Sequence, residues 1–203
     1  AIPKDLRDMG LQRYGFHGLS YDWISRQINV RRAVIAHLGS GASLCAVLDG
    51  KSIDTTMGLT ALDGLPMATR TGSIDAGLVL YLSQHLNYSA DQIEHIFYSE
   101  SGLKGLSGST GDIKTLLGSD DPRAKLALDY FIFKTAQHIA MMVVSLGGLD
   151  TLVFTGGVGE NSELIRSAIL DRLKFLTSFD VVVIPTNEEK MIAMQVKEVI
   201  QNA

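Results

Sequence analysis

The chain is 203 residues long, 46% apolar and 20% charged, with a formal net charge of -4. That length suits one large or two small domains with a real core, and the composition excludes a disordered chain. The mildly acidic balance argues against nucleic acid or an anionic membrane as the main partner, so any bound phosphate must be held by a local cluster.

In chain order, residues 1–16 read as a polar lead-in broken by Gly10 and Gly15, with no apolar h-region and so no expected signal peptide. Phe16-His17-Gly18-Leu19-Ser20 hands over to a helix capped near Ser20, with Trp23, Ile24 and Ile28 inward. Ala33–Ala36 is a buried strand stopped by His37-Leu38-Gly39-Ser40-Gly41, and Ser43–Leu48 is the next strand. It carries the only cysteine, Cys45, which reads as a buried thiol and excludes a disulfide scaffold; a cytoplasmic setting fits. Asp49-Gly50 is a two-residue hairpin signal, and Ser52–Thr55 returns as a third strand. Residues 56–73 are glycine-rich and irregular, a length of loop that is often functional. Helices are predicted over 75–86 and 90–98, then a hydroxyl-rich flexible loop from Ser101 to Asp112. The longest helix, 122–145, is apolar almost all round, yet Asp129, Lys134, Gln137 and His138 argue against a membrane span, so a central buried helix is expected.

Thr151–Thr155 is a short β-branched strand followed by Gly156, Gly157 and Gly159, after which Asn161 or Ser162 can cap a helix. Strand, bare loop and helix start suit a phosphate or nucleotide, although the same pattern also makes a plain strand-to-helix turn. A fifth strand is predicted at Val181–Ile184, then a last helix opened by a Thr186/Glu189 capping box. A strand meander followed by strands alternating with helices indicates an α/β domain with a mixed sheet. His85, His95 and His138 show no zinc-type spacing. A dinucleotide dehydrogenase is disfavoured, because Gly156–Gly159 runs G-G-x-G and lacks the G-x-G-x-x-G spacing.

Several blocks now come together: Arg13-Tyr14-Gly15-Phe16-His17-Gly18, His37–Gly41, Asp54–Thr60, Thr69-Arg70-Thr71-Gly72-Ser73-Ile74-Asp75, Phe154–Asn161 and Ile184–Glu189. With these blocks in this order the chain resembles the acetate kinase family, of the sugar kinase, heat-shock ATPase and actin superfamily. The resemblance implies a ribonuclease H-like, actin-like ATPase fold with a mixed five-stranded sheet. It covers only the family's second domain: 1–203 as a C-terminal nucleotide-binding domain with a loop and helical insertion over 56–147, and the N-terminal domain absent. It implies reversible transfer of the ATP γ-phosphoryl group to acetate, giving acetyl phosphate and ADP with Mg²⁺, and pairing as a homodimer with the long helix or its neighbours near the contact. The half chain is expected to be inactive alone. A non-catalytic nucleotide-binding or dimerisation module is the alternative.

Phosphoryl transfer asks the protein for alignment and charge neutralisation, so cationic or imidazole donors are the groups of interest. By the resemblance, Arg70 and His17 stabilise the transition state. His37, Leu38, Gly39, Ser40 and Gly41 expose backbone N–H groups to the β- and γ-phosphates. Gly156, Gly157, Val158, Gly159, Glu160 and Asn161 seat the α-phosphate and ribose side. Asp112, Ile113 and Lys114 contact the nucleoside, and Glu188 orients Mg²⁺ through water. Departures from the family pattern are Ser40 for Asn, Ile113-Lys114 for Phe-Arg, Leu19 and Tyr21 for Thr and His, and a shortened stretch from Phe175 to Val181.

Overall fold

The structure, a computed structural model, describes residues 1–176 and 178–201. Its elements are α1 (Lys4–Asp8), α2 (Gly18–Ser25), β1 (Arg32–Leu38), β2 (Ala42–Leu48), β3 (Lys51–Thr55), α3 (Ala76–Gln84), α4 (Ala90–His95), α5 (Gly102–Ser107), α6 (Ile113–Leu117), α7 (Pro122–Leu146), β4 (Thr151–Thr155), α8 (Gly156–Asn161), α9 (Glu163–Arg172), β5 (Asp180–Val183) and α10 (Glu188–Gln201). The chain forms two compact units. One comprises Ala1–Phe16, Ser40–Ala42 and Thr56–Thr135; the other comprises His17–Gly39, Ser43–Thr55 and Ala136–Ala203.

The sheet carries the second unit, in the order β3-β2-β1-β4-β5. β1 and β4 run parallel with Ala33 opposite Thr151 and His37 opposite Thr155, and β4 and β5 are likewise parallel. β2 and β3 are antiparallel, closed by Asp49 and Gly50 at φ 49° and 76°, the doubly positive turn that matches strand twist. The short Gly39–Gly41 link cannot make a crossover, so β1 and β2 are antiparallel as well. The expected mixed five-stranded sheet is therefore present. Ala33, Val34, Ile35 and Ala36 of β1 and Leu152, Val153 and Phe154 of β4 are wholly buried, as central strands covered on both faces must be. β5 is an edge strand, and Val181, Val182 and Val183 remain exposed.

Two helix starts differ from the sequence reading. α2 is opened by His17, not Ser20, with no side-chain cap. At α10 the Asn187 side chain accepts from Lys190 N at 2.9 Å; Thr186 stands one residue too early for a cap and its Oγ1 pairs with Ser20 Oγ at 3.0 Å. Trp23 Nε1 to the Pro185 carbonyl (3.0 Å) and Arg26 to Glu198 (2.7 Å) tie α2 to the α10 region. The shortened Phe175–Val181 stretch includes Thr177, which lies outside the described residues; next to it Asp180 N reaches Asp150 O at 2.9 Å.

In the first unit, the polar lead-in contains the one-turn helix α1, paired along one face by Lys4 and Asp8. Residues 56–73 hold no helix or strand, as expected. They are nonetheless packed: Met57, Leu65 and Met67 are fully buried. The expected 90–98 helix is α4, capped reciprocally by Ser89 and Gln92, followed by a π-helical turn at Ile96–Glu100. The loop expected at Ser101–Asp112 contains α5. α7 is not buried all round: Phe131, Ile132, Ile139 and Met142 are buried, whereas Leu126, Phe133, Met141 and Val144 are exposed. Among the described residues no helix is long and apolar enough to cross a membrane.

Candidate functional site

The second unit gathers two imidazoles at the carboxyl end of β1. His17 sits in the left-handed region, φ 60° and ψ 27°, a conformation a non-glycine residue holds only when its surroundings dictate it. Its ring stacks on that of His37, centroids 4.2 Å apart and planes 14° apart. Each ring is anchored through Nδ1 by a serine: His17 to Ser43 Oγ at 2.8 Å and His37 to Ser20 Oγ at 2.9 Å. Each serine has a second hydroxyl behind it, the Tyr21 phenol on Ser43 and Thr186 Oγ1 on Ser20. Burial holds the His37 pKa below its ordinary 6.5, because the imidazolium loses solvent there. Neutral imidazoles, each with one N–H to give, are hydrogen-bond donors suited to an anionic oxygen.

Gly156 lies against the same strand end. Its φ is +77°, and a Cβ there would stand 2.8 Å from the Leu38 carbonyl oxygen. Only glycine lets the chain leave β4 this close to β1. The run expected as a bare loop is in fact the short helix α8, opening at Gly156 itself, and Ser162 caps the following α9 by accepting from Ile165 N. A Cβ on Gly157 would meet nothing within 4 Å, so this glycine faces open space. Val158 is half-buried and Gly159 buried. Glu160 Oε1 accepts from Gly156 N at 2.9 Å and Thr186 N at 3.0 Å, so this oxygen joins the start of α8 to the approach to α10. Asn161 Nδ2 donates to the Gly157 carbonyl at 2.8 Å, and Arg166 donates to the carbonyls of Gly159 and Glu160, both at 2.9 Å.

In the His37–Gly41 connection, Leu38 is fully buried, Gly39 and Gly41 are half-buried and Ser40 is exposed. The Ser40 carbonyl accepts from Ala68 N at 3.2 Å, within the first unit. Glu188 opens α10, half-buried, directly after the capping Asn187.

Arg70 belongs to the first unit. Its guanidinium lies 5.9 Å from the Tyr98 ring centre and bonds the Ala61 carbonyl at 3.4 Å. Its loop is moulded on the π-helical turn and α5. Thr71 N donates to Phe97 O (3.1 Å), Thr69 Oγ1 to Tyr98 O (2.7 Å), and Ser101 Oγ to Ile96 O (2.7 Å). The wide turn leaves carbonyls off the helical ladder, and these side-chain and loop donors take them up. In the same unit Asp112 caps α6, accepting from Thr115 Oγ1 at 2.6 Å and from Thr115 N at 2.8 Å, and these bonds lower its pKa. Ile113 is buried and Lys114 exposed.

The sequence reading singled out His17, His37 and the glycines, and the second unit brings these together. It missed Ser20, Tyr21, Ser43 and Thr186; the available signal was Ser43, the one hydroxyl in the apolar run Ala42–Leu48. No cluster of three carboxylate, imidazole or thiol ligands occurs among the described residues. Mg²⁺ held by a polyphosphate needs only one or two carboxylates and water.

The chain spans about half the length of the curated relatives it matches. It is 45% identical over 220 residues to the acetate kinase of Nitrobacter hamburgensis, covering 95% of this chain and 54% of that protein. It is 40% identical over 223 residues to the acetate kinase of Rickettsia felis, covering 97% and 58%. Among solved structures, Porphyromonas gingivalis acetate kinase superposes with a TM-score of 0.93 at 30% identity, covering 98% of this chain and 59% of that one. A propionate kinase from Francisella tularensis superposes at 0.88 with 38% identity, covering 95% and 58%. Residues 1–180 match the acetokinase family, and with a sheet, glycine turn and histidine pair of this kind the chain belongs to that family.

Proposed function

We propose that the chain is the nucleotide-binding, C-terminal half of an acetate kinase-like phosphotransferase, with 56–147 as an insertion within it. The observation that carries this reading is the stacked His17–His37 pair at the end of β1, in the same unit as the open face of Gly157. Backbone of the His37–Gly41 turn and of Gly156–Asn161 would cradle the polyphosphate. In the reaction an acetate oxygen bonds to the γ-phosphorus while the bond to the β–γ bridging oxygen breaks, leaving acetyl phosphate and ADP. His17 would donate to the equatorial oxygens of the group in flight, where donors matter most; Arg70, in the first unit, is the second candidate donor by the family resemblance. Glu188 would orient Mg²⁺ through water. That ion, when bound, would supply charge neutralisation.

Asp112 and Lys114 remain the candidates at the nucleoside end, whereas the burial of Ile113 leaves no stacking surface from that residue. This favours, as a second reading, a module that holds nucleotide or pairs without catalysis. The two separate on adding the family's N-terminal half: acetate-dependent ADP formation supports the catalytic reading, and its absence favours the module. The chain alone is expected to give no hydroxamate-detected acetyl phosphate. A cytoplasmic setting and a homodimer complete the proposal. The pairing is supported by α3, where no residue is buried and Leu78, Leu80 and Tyr81 lie exposed.

A further inference from the structure

Ser43 is a wholly buried hydroxyl on β2. Its Oγ stands 2.8 Å from His17 Nδ1 and also bonds the Tyr21 phenol. A serine hydroxyl has one proton to give and must accept from whichever neighbour it does not donate to. Two directions are open along this chain of three groups. In one, His17 donates from Nδ1 to Ser43 and Ser43 donates to Tyr21. The phenol proton would then need another acceptor, and among the described residues Tyr21 is bonded only through Ser43. Tyr21 is buried and desolvation raises its pKa, so that proton stays on the oxygen. In the other direction Tyr21 donates to Ser43 and Ser43 donates to Nδ1, so both buried hydroxyl protons have acceptors. A buried donor without an acceptor is the costly outcome, so the second direction prevails.

We propose that Ser43, backed by Tyr21, is a positioning residue that fixes His17 in the tautomer carrying its proton on Nε2. The left-handed backbone at His17 and the stack on His37 set where the ring lies; the hydroxyl chain sets which nitrogen is the donor. The functional meaning rests on the reading of His17 as a donor to the transferred phosphoryl group. The tautomer itself does not.

Nitrogen-15 imidazole spectra of the full chain, at a pH where the histidines are neutral, read this directly. The expected result is a single His17 form with pyridine-like Nδ1 and pyrrole-like Nε2. Tyr21→Phe keeps the ring and removes the terminal donor, and Ser43→Ala removes the bridge; each should convert that single form into a mixture containing Nδ1–H. A wild-type spectrum with pyrrole-like Nδ1 would overturn the proposal even if neither variant folded. So would a folded Tyr21→Phe chain with an unchanged His17 spectrum. No nucleotide is needed, so the expected spectra in a chain that binds no Mg·ADP would uphold the positioning role and count against the phosphotransferase reading alone.

Discussion

Neighbouring glycines in α8 do different work. Gly156 has a left-handed φ of +77° and a carbonyl oxygen 2.8 Å from where its Cβ would be, whereas Gly157 faces open space. Gly156→Ala should therefore lower stability by ~1–3 kcal/mol through backbone strain and a forced shift of Leu38, read as a lower denaturant midpoint at unchanged slope. Gly157→Val should leave the fold within ~1 kcal/mol, because a helix tolerates valine at least as well as glycine and the added Cβ meets nothing within 4 Å. Equal losses for both would contradict the structure. His37 adds a pH dependence. Its folded pKa is depressed below 6.5, so between that value and 6.5 the unfolded chain binds a proton that the folded chain does not. Stability then rises with pH across this window and falls as pH drops through it. His37→Asn should flatten that part of the profile; an unchanged slope would assign it elsewhere.

At the scale of elements, the arginine loop depends on α5 starting where it does. A Cβ on Gly102 would lie 2.1 Å from the Met67 carbonyl oxygen and 2.6 Å from that of Arg70, at φ +60°. Gly102→Ala should cost upwards of ~3 kcal/mol, whereas Ser101→Ala, removing one hydroxyl bond to Ile96 O, should cost ~1 kcal/mol; thermal unfolding of the two variants ranks them. This element also marks where sequence reading stops. The strands and the Asp49-Gly50 turn were legible because burial and turn chemistry are local signals. α5 and the π-helical turn were not, since Ser101–Asp112 is rich in glycine and hydroxyl residues, and its helical form is held by the distant carbonyls of Met67 and Ala68. The cap at Asn187 was displaced by one residue because Thr186 is drawn to Ser20, a contact 166 positions away. His17 was visible from its motif and Tyr21 lies four residues on, but Ser43, which links them, is 26 positions away and near only in space. α7 was read as buried from its composition, yet composition cannot say that Met141 and Val144 face outward.

For the molecule as a whole, the exposed apolar side chains on α3 are the face on which the proposed pairing is tested. Sedimentation should show a dimer whose interface weakens on Leu80→Glu, whose residue is 57% exposed here; a monomer at all concentrations would remove the pairing proposal. The central claim is that the glycine turn and histidine pair form a polyphosphate seat. Calorimetric titration with Mg·ADP tests it most directly, on the wild-type chain, Gly157→Val and Arg70→Ala. The account predicts binding by the wild type, binding retained by Arg70→Ala because ADP lacks the transferred group, and loss of binding in a folded Gly157→Val chain. No binding by the wild type, or undiminished binding by Gly157→Val, would contradict it.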